Sequence, residues 1–339
     1  MSCIPVVYLW SWNPFLIACS YTASKATLTS VHADQNILTF SINTGTLARQ
    51  YIGFNDEIID CRLLHVPSAS ILEGVETHVA LATNSSLIKV YNRETLDVRL
   101  LPSLDSPSSG HSSMVLCLDS IPSAPILVSG SKDRTARVWT VRSSTSPTEG
   151  SSNTEADWAC VGLAEGHTES IGAIALARKL SGDTTTPPLN RLSFMFTGSQ
   201  DRTLKMWDLS ILSKDFSESQ PVRIKSLWTH KAHDKDINAL DVSHNNQYLA
   251  TASQDKMVNI FEITYVSRSS VKGHVPKGEA RLIGTCKGHR RGVWDVRFHK
   301  NSDKMVATAS SDKTIKLWDL GDFSCLKVDY LRLSLVVHQ

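Results

Sequence analysis

The 339-residue sequence contains no GxxxxGK[ST] loop, no HExxH pair and no GxSxG turn. Nucleotide hydrolysis, zinc proteolysis and the common esterase arrangement therefore lack support. The seven cysteines (Cys3, Cys19, Cys61, Cys117, Cys160, Cys286 and Cys325) are odd in number and never spaced CxxC. That spacing suggests neither a zinc site nor a disulfide framework, and a reducing compartment with the thiols as small buried hydrophobes is the simpler reading. Charge of one sign is also missing: 35 basic against 33 acidic residues leave +2, so no global field draws the chain to nucleic acid or an anionic membrane. Any such contact has to be local. The apolar opening MSCIPVVYLWSWNPFLIACS has no cation before Lys25 and is interrupted by Pro5 and Pro14. It reads as a buried strand or an atypical start, not as a signal sequence or membrane anchor. With 41% hydrophobic and 20% charged residues, the chain is expected to fold almost throughout as a soluble globular protein.

Self-similarity dominates what is present. Four segments, GSKDRTARVW (130 to 139), GSQDRTLKMW (198 to 207), ASQDKMVNIF (252 to 261) and ASSDKTIKLW (309 to 318), each read as strand, tight turn with an Asp, and strand ending in an aromatic. Upstream of each lies a histidine turn: Gly110-His111, Gly166-His167, Ala232-His233 and Gly288-His289. The fixed offset from His to Asp is broken once, by the Ser/Thr/Pro-bearing stretch 181 to 190. Further insertions near 142 to 157, 211 to 223 and 264 to 280 fall between third and fourth strands and are expected to be solvated loops. Two weaker repeats align through Ser30, Asp34 and Phe40 and through Ser85 and Tyr91. Constant cores with variable insertions are the mark of stacked supersecondary units. The expected architecture is all-β, with about six repeats of four antiparallel strands at roughly 28–52, 53–100, 111–164, 167–230, 233–286 and 289–325. Residues 1–27 are set apart as an atypical N-terminal segment and 326–339 as a divergent tail.

These repeats resemble the WD-repeat family of β-propellers over about residues 28 to 325. In that family a His, a strand Ser or Thr, the turn Asp and the Trp form a buried hydrogen-bonded tetrad in each blade. The resemblance assigns these roles to His111, Ser129, Asp133, Trp139; His167, Thr197, Asp201, Trp207; His233, Thr251, Asp255; and His289, Thr308, Asp312, Trp318. The third set departs, because Phe261 cannot donate an indole N–H. The sets are structural: a catalytic triad is needed once, not four times. The chain is expected not to be an enzyme, with no catalytic, cofactor-binding or metal-binding residue and no small-molecule substrate. An enzyme would need a buried acid or base pair in the central channel, and none is visible.

Stretches outside the generic repeat narrow the likeness. Residues 231 to 256 and 286 to 320, with 32 to 40, 51 to 61 and 78 to 97, are similar to the second propeller of transducin-beta-like WD subunits of the small-subunit processome. That resemblance implies a stoichiometric scaffold in the nucleolus, in contact with other WD-repeat processome proteins and pre-ribosomal ribonucleoprotein. A first propeller, a seventh blade and a helical C-terminal domain find no counterpart here, so the sequence reads as a fragment or shortened product whose propeller can be left with an open edge. Two alternatives stay open: a substrate adaptor of a cullin-type ubiquitin ligase, although its Trp-Asp-x-Arg signature is unmatched by WDLS (207 to 210), WDLG (318 to 321) and WTVR (139 to 142), and a generic cytoplasmic propeller scaffold. Lys287, Arg290 and Arg291, with Arg297, His299 and Lys300 nearby and Lys231 and Lys235 on the preceding turn, form a candidate contact with RNA or an acidic partner. Trp294 among them is expected to pack inside a strand.

Overall fold

A computed structural model describes residues 16–330 apart from 23–26, 33–36, 42–43, 45, 52–56, 67–76, 94, 96, 103–109, 122–123, 143–156, 183–187, 213–219, 268–274 and 301. The described strands form six sheets, each built on four antiparallel strands in chain order, one of them carrying a fifth strand in parallel. The first holds β1 (Leu16–Thr22), β2 (Thr27–His32), β3 (Ile37–Ser41) and β4 (Leu47–Tyr51). The second holds β5 (Ile58–Leu64), β6 (His78–Thr83), β7 (Ile88–Asn92) and β8 (Val98–Leu101). The third holds β9 (Val115–Ile121), β10 (Ile126–Ser131), β11 (Thr135–Arg142) and β12 (Asp157–Glu165). The fourth consists of β13 (Ile171–Leu176), β14 (Phe194–Ser199), β15 (Thr203–Asp208) and β17 (Ser226–Lys231), and β16 (Val222–Ile224) leaves it to join its neighbour. The fifth holds β18 (Ile237–Val242), β19 (Tyr248–Ser253), β20 (Val258–Val266) and β21 (Lys277–Cys286), and the sixth β22 (Val293–His299), β23 (Ser302–Ser310), β24 (Thr314–Asp319) and β25 (Cys325–Tyr330).

The sheets stack as blades through their first strands, β1 against β5, then β9, β13, β18 and β22 in succession. Between blades lie the apolar cores. Trp139 of blade 3 packs with Ile88 and Val90 of blade 2, while Val128 and Val138 on its other face pack with Trp207 of blade 4. A strand alternates its side chains between faces, so the middle strands of blades 3 and 4 feed a core on either side, and β10 and β14 are buried along their whole length.

Junctions are matched in volume. A Cβ added to Gly130 would lie 2.7 Å from Ile171 Cγ2, and one added to Gly198 would lie 2.6 Å from Ile237 Cγ2. At the same register the junctions of blade 2 with 3 and of blade 5 with 6 carry alanine opposite valine, Ala82 in the core with Val115 and Ala252 in the core with Val293. At these four junctions glycine meets isoleucine and alanine meets valine, so a larger residue on one face is offset by a smaller one on the other, as close packing requires.

Two segments depart from the sequence reading. The insertion at 211 to 223 is not wholly a solvated loop: Leu212 is buried, and β16 pairs in parallel with β12 through Gly162↔Val222, Leu163↔Arg223 and Ala164↔Ile224. The apolar Val222 and Ile224 seat against the core of blades 3 and 4, which a polar loop could not do. In the insertion at 264 to 280, β20 runs to Val266 and β21 starts at Lys277, leaving a shorter connection than expected. At the ends, β1 falls within the segment set apart as 1–27, and β25 takes in the first five residues of the stretch read as a tail, 326 to 330. Both are strands of the first and sixth sheets, paired to β2 and β24. Asp34 lies outside the described residues. Of the cysteines, Cys61, Cys117 and Cys286 are buried as expected, but Cys325 is exposed on β25.

Candidate functional site

The connections that enter each inner strand and the turns between second and third strands adjoin on one end of the stack, tied by four histidine–aspartate pairs. In blade 3, His111 Nδ1 lies 2.9 Å from Asp133 Oδ2, and its Nε2 lies 2.7 Å from the Ser129 hydroxyl. The Trp139 indole N–H donates to that same hydroxyl at 2.8 Å. Every group is satisfied if the imidazole is neutral with its proton on Nδ1: indole to hydroxyl, hydroxyl to Nε2, Nδ1–H to carboxylate. Asp133 also accepts from the backbone N–H of Ser112 and from the N–H and hydroxyl of Thr135. One carboxylate thus fixes both loops, because its two oxygens offer several lone pairs to donors from each.

The arrangement recurs. His167 joins Asp201 at 2.8 Å and Thr197 at 2.8 Å, with Trp207 donating to Thr197 at 2.7 Å. His289 joins Asp312 at 2.9 Å and Thr308 at 2.7 Å, with Trp318 donating to Thr308 at 2.9 Å. Blade 5 keeps His233 to Asp255 at 2.8 Å and to Thr251 at 2.7 Å, while Phe261 fills the aromatic place with no donor. Met257 there replaces the threonine that elsewhere donates to the aspartate, so Asp255 accepts only the Met257 backbone N–H on that oxygen. In blade 2, Ser85 takes the turn place and accepts from the Leu87 N–H at 3.2 Å.

Burial drives the His111 and His289 pKa values below the usual imidazole range, against the pull of their aspartates. Burial works to raise the aspartates too, but hydrogen bonds overcome it: donation from Thr314, the Arg290 N–H and His289 brings Asp312 down to about 2. Asp133, Asp201 and Asp255 are held below the carboxylate range on the same balance, their histidines leading the downward pull. Each buried hydrogen bond nets about 0.5–1.5 kcal/mol, so four such sets are a large share of blade stability.

The inner strands enclose what sequence reasoning missed. A cavity of about 140 Å³ is lined by residues of β5, β9, β13, β18 and β22. Charges that looked isolated in sequence meet around it. Arg178, just past β13, donates to Asp119 of blade 3 at 2.9 Å and to Asp241 of blade 5 at 2.6 Å. Arg62 of blade 2 donates to Asp60 at 2.7 Å, with its Nε 3.6 Å from Asp119. The same aspartates cross to the next blade by accepting backbone N–H groups: Leu118 to Asp60, Leu176 to Asp119 and Phe298 to Asp241. Burial opposes charge on Arg178, yet Asp119 and Asp241 hold it protonated. Buried acids and bases therefore do line the channel, contrary to the sequence reading. They are paired into a structural network, and the signal available in sequence was an Asp or Arg at the fifth position of β5, β9, β18 and β22, Arg62, Asp119, Asp241 and Arg297.

Most of the candidate contact residues lie together. Lys287, Arg290 and Arg291 are exposed on the turn into β22, and Lys231 and Lys235 are exposed around the turn into β18, where Lys231 pairs with Asp234 at 3.5 Å. Arg297 does not share that surface. It lines the cavity with its Nε 3.3 Å from Asp295, because a residue at the fifth position of an inner strand faces the axis. Trp294 is corrected in the opposite sense: at the second position of β22 it is 43% exposed and lines the cavity mouth instead of a strand interior.

Against known proteins, the WD domain, G-beta repeat, matches residues 104–140, 158–208, 224–262 and 280–319, each containing one of the four tetrad turns. This chain belongs to the WD-repeat family. Transducin beta-like protein 3 of Mus musculus is 35% identical to this WD-repeat chain over 286 residues, 84% of the chain, and that of Homo sapiens 31% over 286 residues, 83% of the chain. U3 small nucleolar RNA-associated protein 13 of Saccharomyces cerevisiae is 31% identical over 229 residues, 64% of the chain. The chain spans 29% of the length of the transducin beta-like proteins and 23% of the yeast protein.

Proposed function

We propose that this WD-repeat chain is a non-catalytic scaffold of the nucleolar small-subunit processome, supporting assembly and processing of the small-subunit ribosomal RNA precursor. The observation that carries the reading is the reach of the likeness to transducin beta-like protein 3, which covers 84% of the chain. The tetrads alone account for little of such a span, since they recur in any WD repeat. A stack of blades, four of them tied by buried histidine–aspartate networks, suits a part that holds others in place. Its partners are other WD-repeat processome proteins and pre-ribosomal ribonucleoprotein, met in the nucleus and nucleolus. The paired state of the channel acids and bases supports a binding role over a catalytic one, because a working acid or base needs a free proton position at a reacting atom.

Affinity purification of the tagged chain from nuclear extract, with mass spectrometry of proteins and sequencing of bound RNA, tests this. Recovery of processome propeller proteins with precursor ribosomal RNA is the expected result. Recovery of cullin adaptor subunits, or of cytoplasmic partners alone, overturns it.

A further inference from the structure

The turns between second and third strands share an unusual backbone. In blades 3 to 6 the residue after the tetrad aspartate closes the turn, its N–H donating to a serine carbonyl three residues back: Arg134 to Ser131, Arg202 to Ser199, Lys256 to Ser253 and Lys313 to Ser310. All four have left-handed φ, 70°, 71°, 78° and 66°. Glycine is the residue that adopts this conformation without steric cost, and asparagine the next. Here each of these four blades instead carries a long cation, and each is exposed. Among the described residues none of the four makes an ion pair.

Because each of these turns is bonded to the histidine turn of its own blade, the four cations lie on the end of the stack that carries Lys287, Arg290 and Arg291. The carboxylates on the same histidine turns, Glu169, Asp234 and Asp236, belong to blades 4 and 5, and Asp234 is engaged by Lys231. The second positions of the inner strands, Ile59, Leu116, Gly172, Asn238 and Trp294, line the channel at this same end, and Trp294 is their aromatic member. Spread cations with an exposed indole at their centre match a single strand, whose phosphates follow a curved path while its bases stay free to stack. A duplex needs a helix or ribbon to enter a groove, and this surface offers only short turns. An acidic peptide would use the cations and leave the indole idle.

We propose that this end of the stack binds single-stranded RNA, its phosphates on Arg134, Arg202, Lys256, Lys313, Arg290 and Arg291 and a base on Trp294 at the channel mouth. That the strand is RNA and not DNA rests on the processome reading; the surface itself does not.

Binding of the full chain to a fluorescein-labelled oligouridine of about fifteen nucleotides, followed by anisotropy over a salt series, tests the proposal. Replacing all four turn cations by glycine removes the charge and relaxes the backbone, so the variant is expected to unfold at an unchanged or higher temperature. Its RNA affinity is expected to fall at least tenfold, and its salt slope to flatten by about 3 for four lost contacts to a single strand. Trp294→Ala is expected to weaken oligouridine at least threefold, and Lys277→Glu, at the far end of β21, to leave it unchanged. Undiminished binding by the glycine variant, or equal binding of an oligoglutamate of the same charge, overturns the proposal. In either event, recovery of processome proteins by the glycine variant from nuclear extract separates failure of this surface from failure of the scaffold reading.

Discussion

At the residue scale, one carboxylate in each of blades 3 to 6 holds two loops in place. Asp201 accepts from His167, from the Thr168 N–H at 3.1 Å, and from both the N–H and the hydroxyl of Thr203. Asp201→Ala strands several donors at once, and about 2–4 kcal/mol of stability should be lost, measured as a shift in the urea midpoint. Asp255→Ala should cost less, since its blade has already lost the indole and the threonine. Equal losses would show that the local turn, and not the network, sets the energy. Acid acts on the same groups. His111 and His289 titrate below the unfolded value of about 6.5, so the unfolded chain takes up protons first as pH falls through that value, and stability declines. The tetrad aspartates, shifted down from an unfolded value of about 3.9, add their loss below it, as pH falls toward the Asp312 value of about 2. Urea midpoints at pH 7.5, 6 and 5 should decrease in that order; a flat profile would mean the imidazoles carry no such shift.

At the element scale, glycine–isoleucine and alanine–valine pairs set the distance between blades. Gly130→Ala forces its new methyl against Ile171 and Cys117, each 2.7 Å away, and should cost about 1–3 kcal/mol by overpacking. Adding Ile171→Val recreates the pairing found at Ala252 and Val293, and the double variant should recover at least half of that loss in thermal unfolding. Simple additivity would show that the two sites do not meet. This scale also marks the limit of what the sequence made legible. The tetrads were readable because their partners recur at short, fixed offsets, and a turn aspartate followed by a Trp six residues on keeps its meaning in any copy. Arg178 was not: its partners Asp119 and Asp241 are 59 and 63 residues away, one blade to either side, and no local pattern pairs them. Val222–Ile224 was missed for a related reason, since three apolar residues after a polar insertion look like a loop until a neighbouring edge is found for them. Trp294 was misjudged because its alternation was right and its neighbour was not: the side facing the axis at the channel mouth is open.

At the scale of the whole molecule, Arg178 is the tie that spans three blades. Removing it strips buried Asp241 of the guanidinium that pairs it and leaves Asp119 with Arg62 alone, 3.6 Å away, so Arg178→Met should cost about 3–5 kcal/mol, more than an exposed pair such as Arg281 with Glu262 contributes. A thermal midpoint for Arg178→Met within error of the native chain would place the stabilising burden in the apolar cores alone. The parallel pairing of Val222–Ile224 with the edge of blade 3 works in the same direction, because a segment that begins in one blade completes its neighbour.

The volume matching at the junctions carries a consequence for how such a chain can change over generations. A copied blade inserted between Gly198 and Ile237 would bring its own front and back faces, and only a copy with isoleucine ahead and glycine behind would fit without a clash or a gap. Recombination that swaps whole blades is therefore penalised here, whereas exchange from the middle of one blade to the middle of the next carries both halves of a junction together. The heritable module of this protein is the seam between blades.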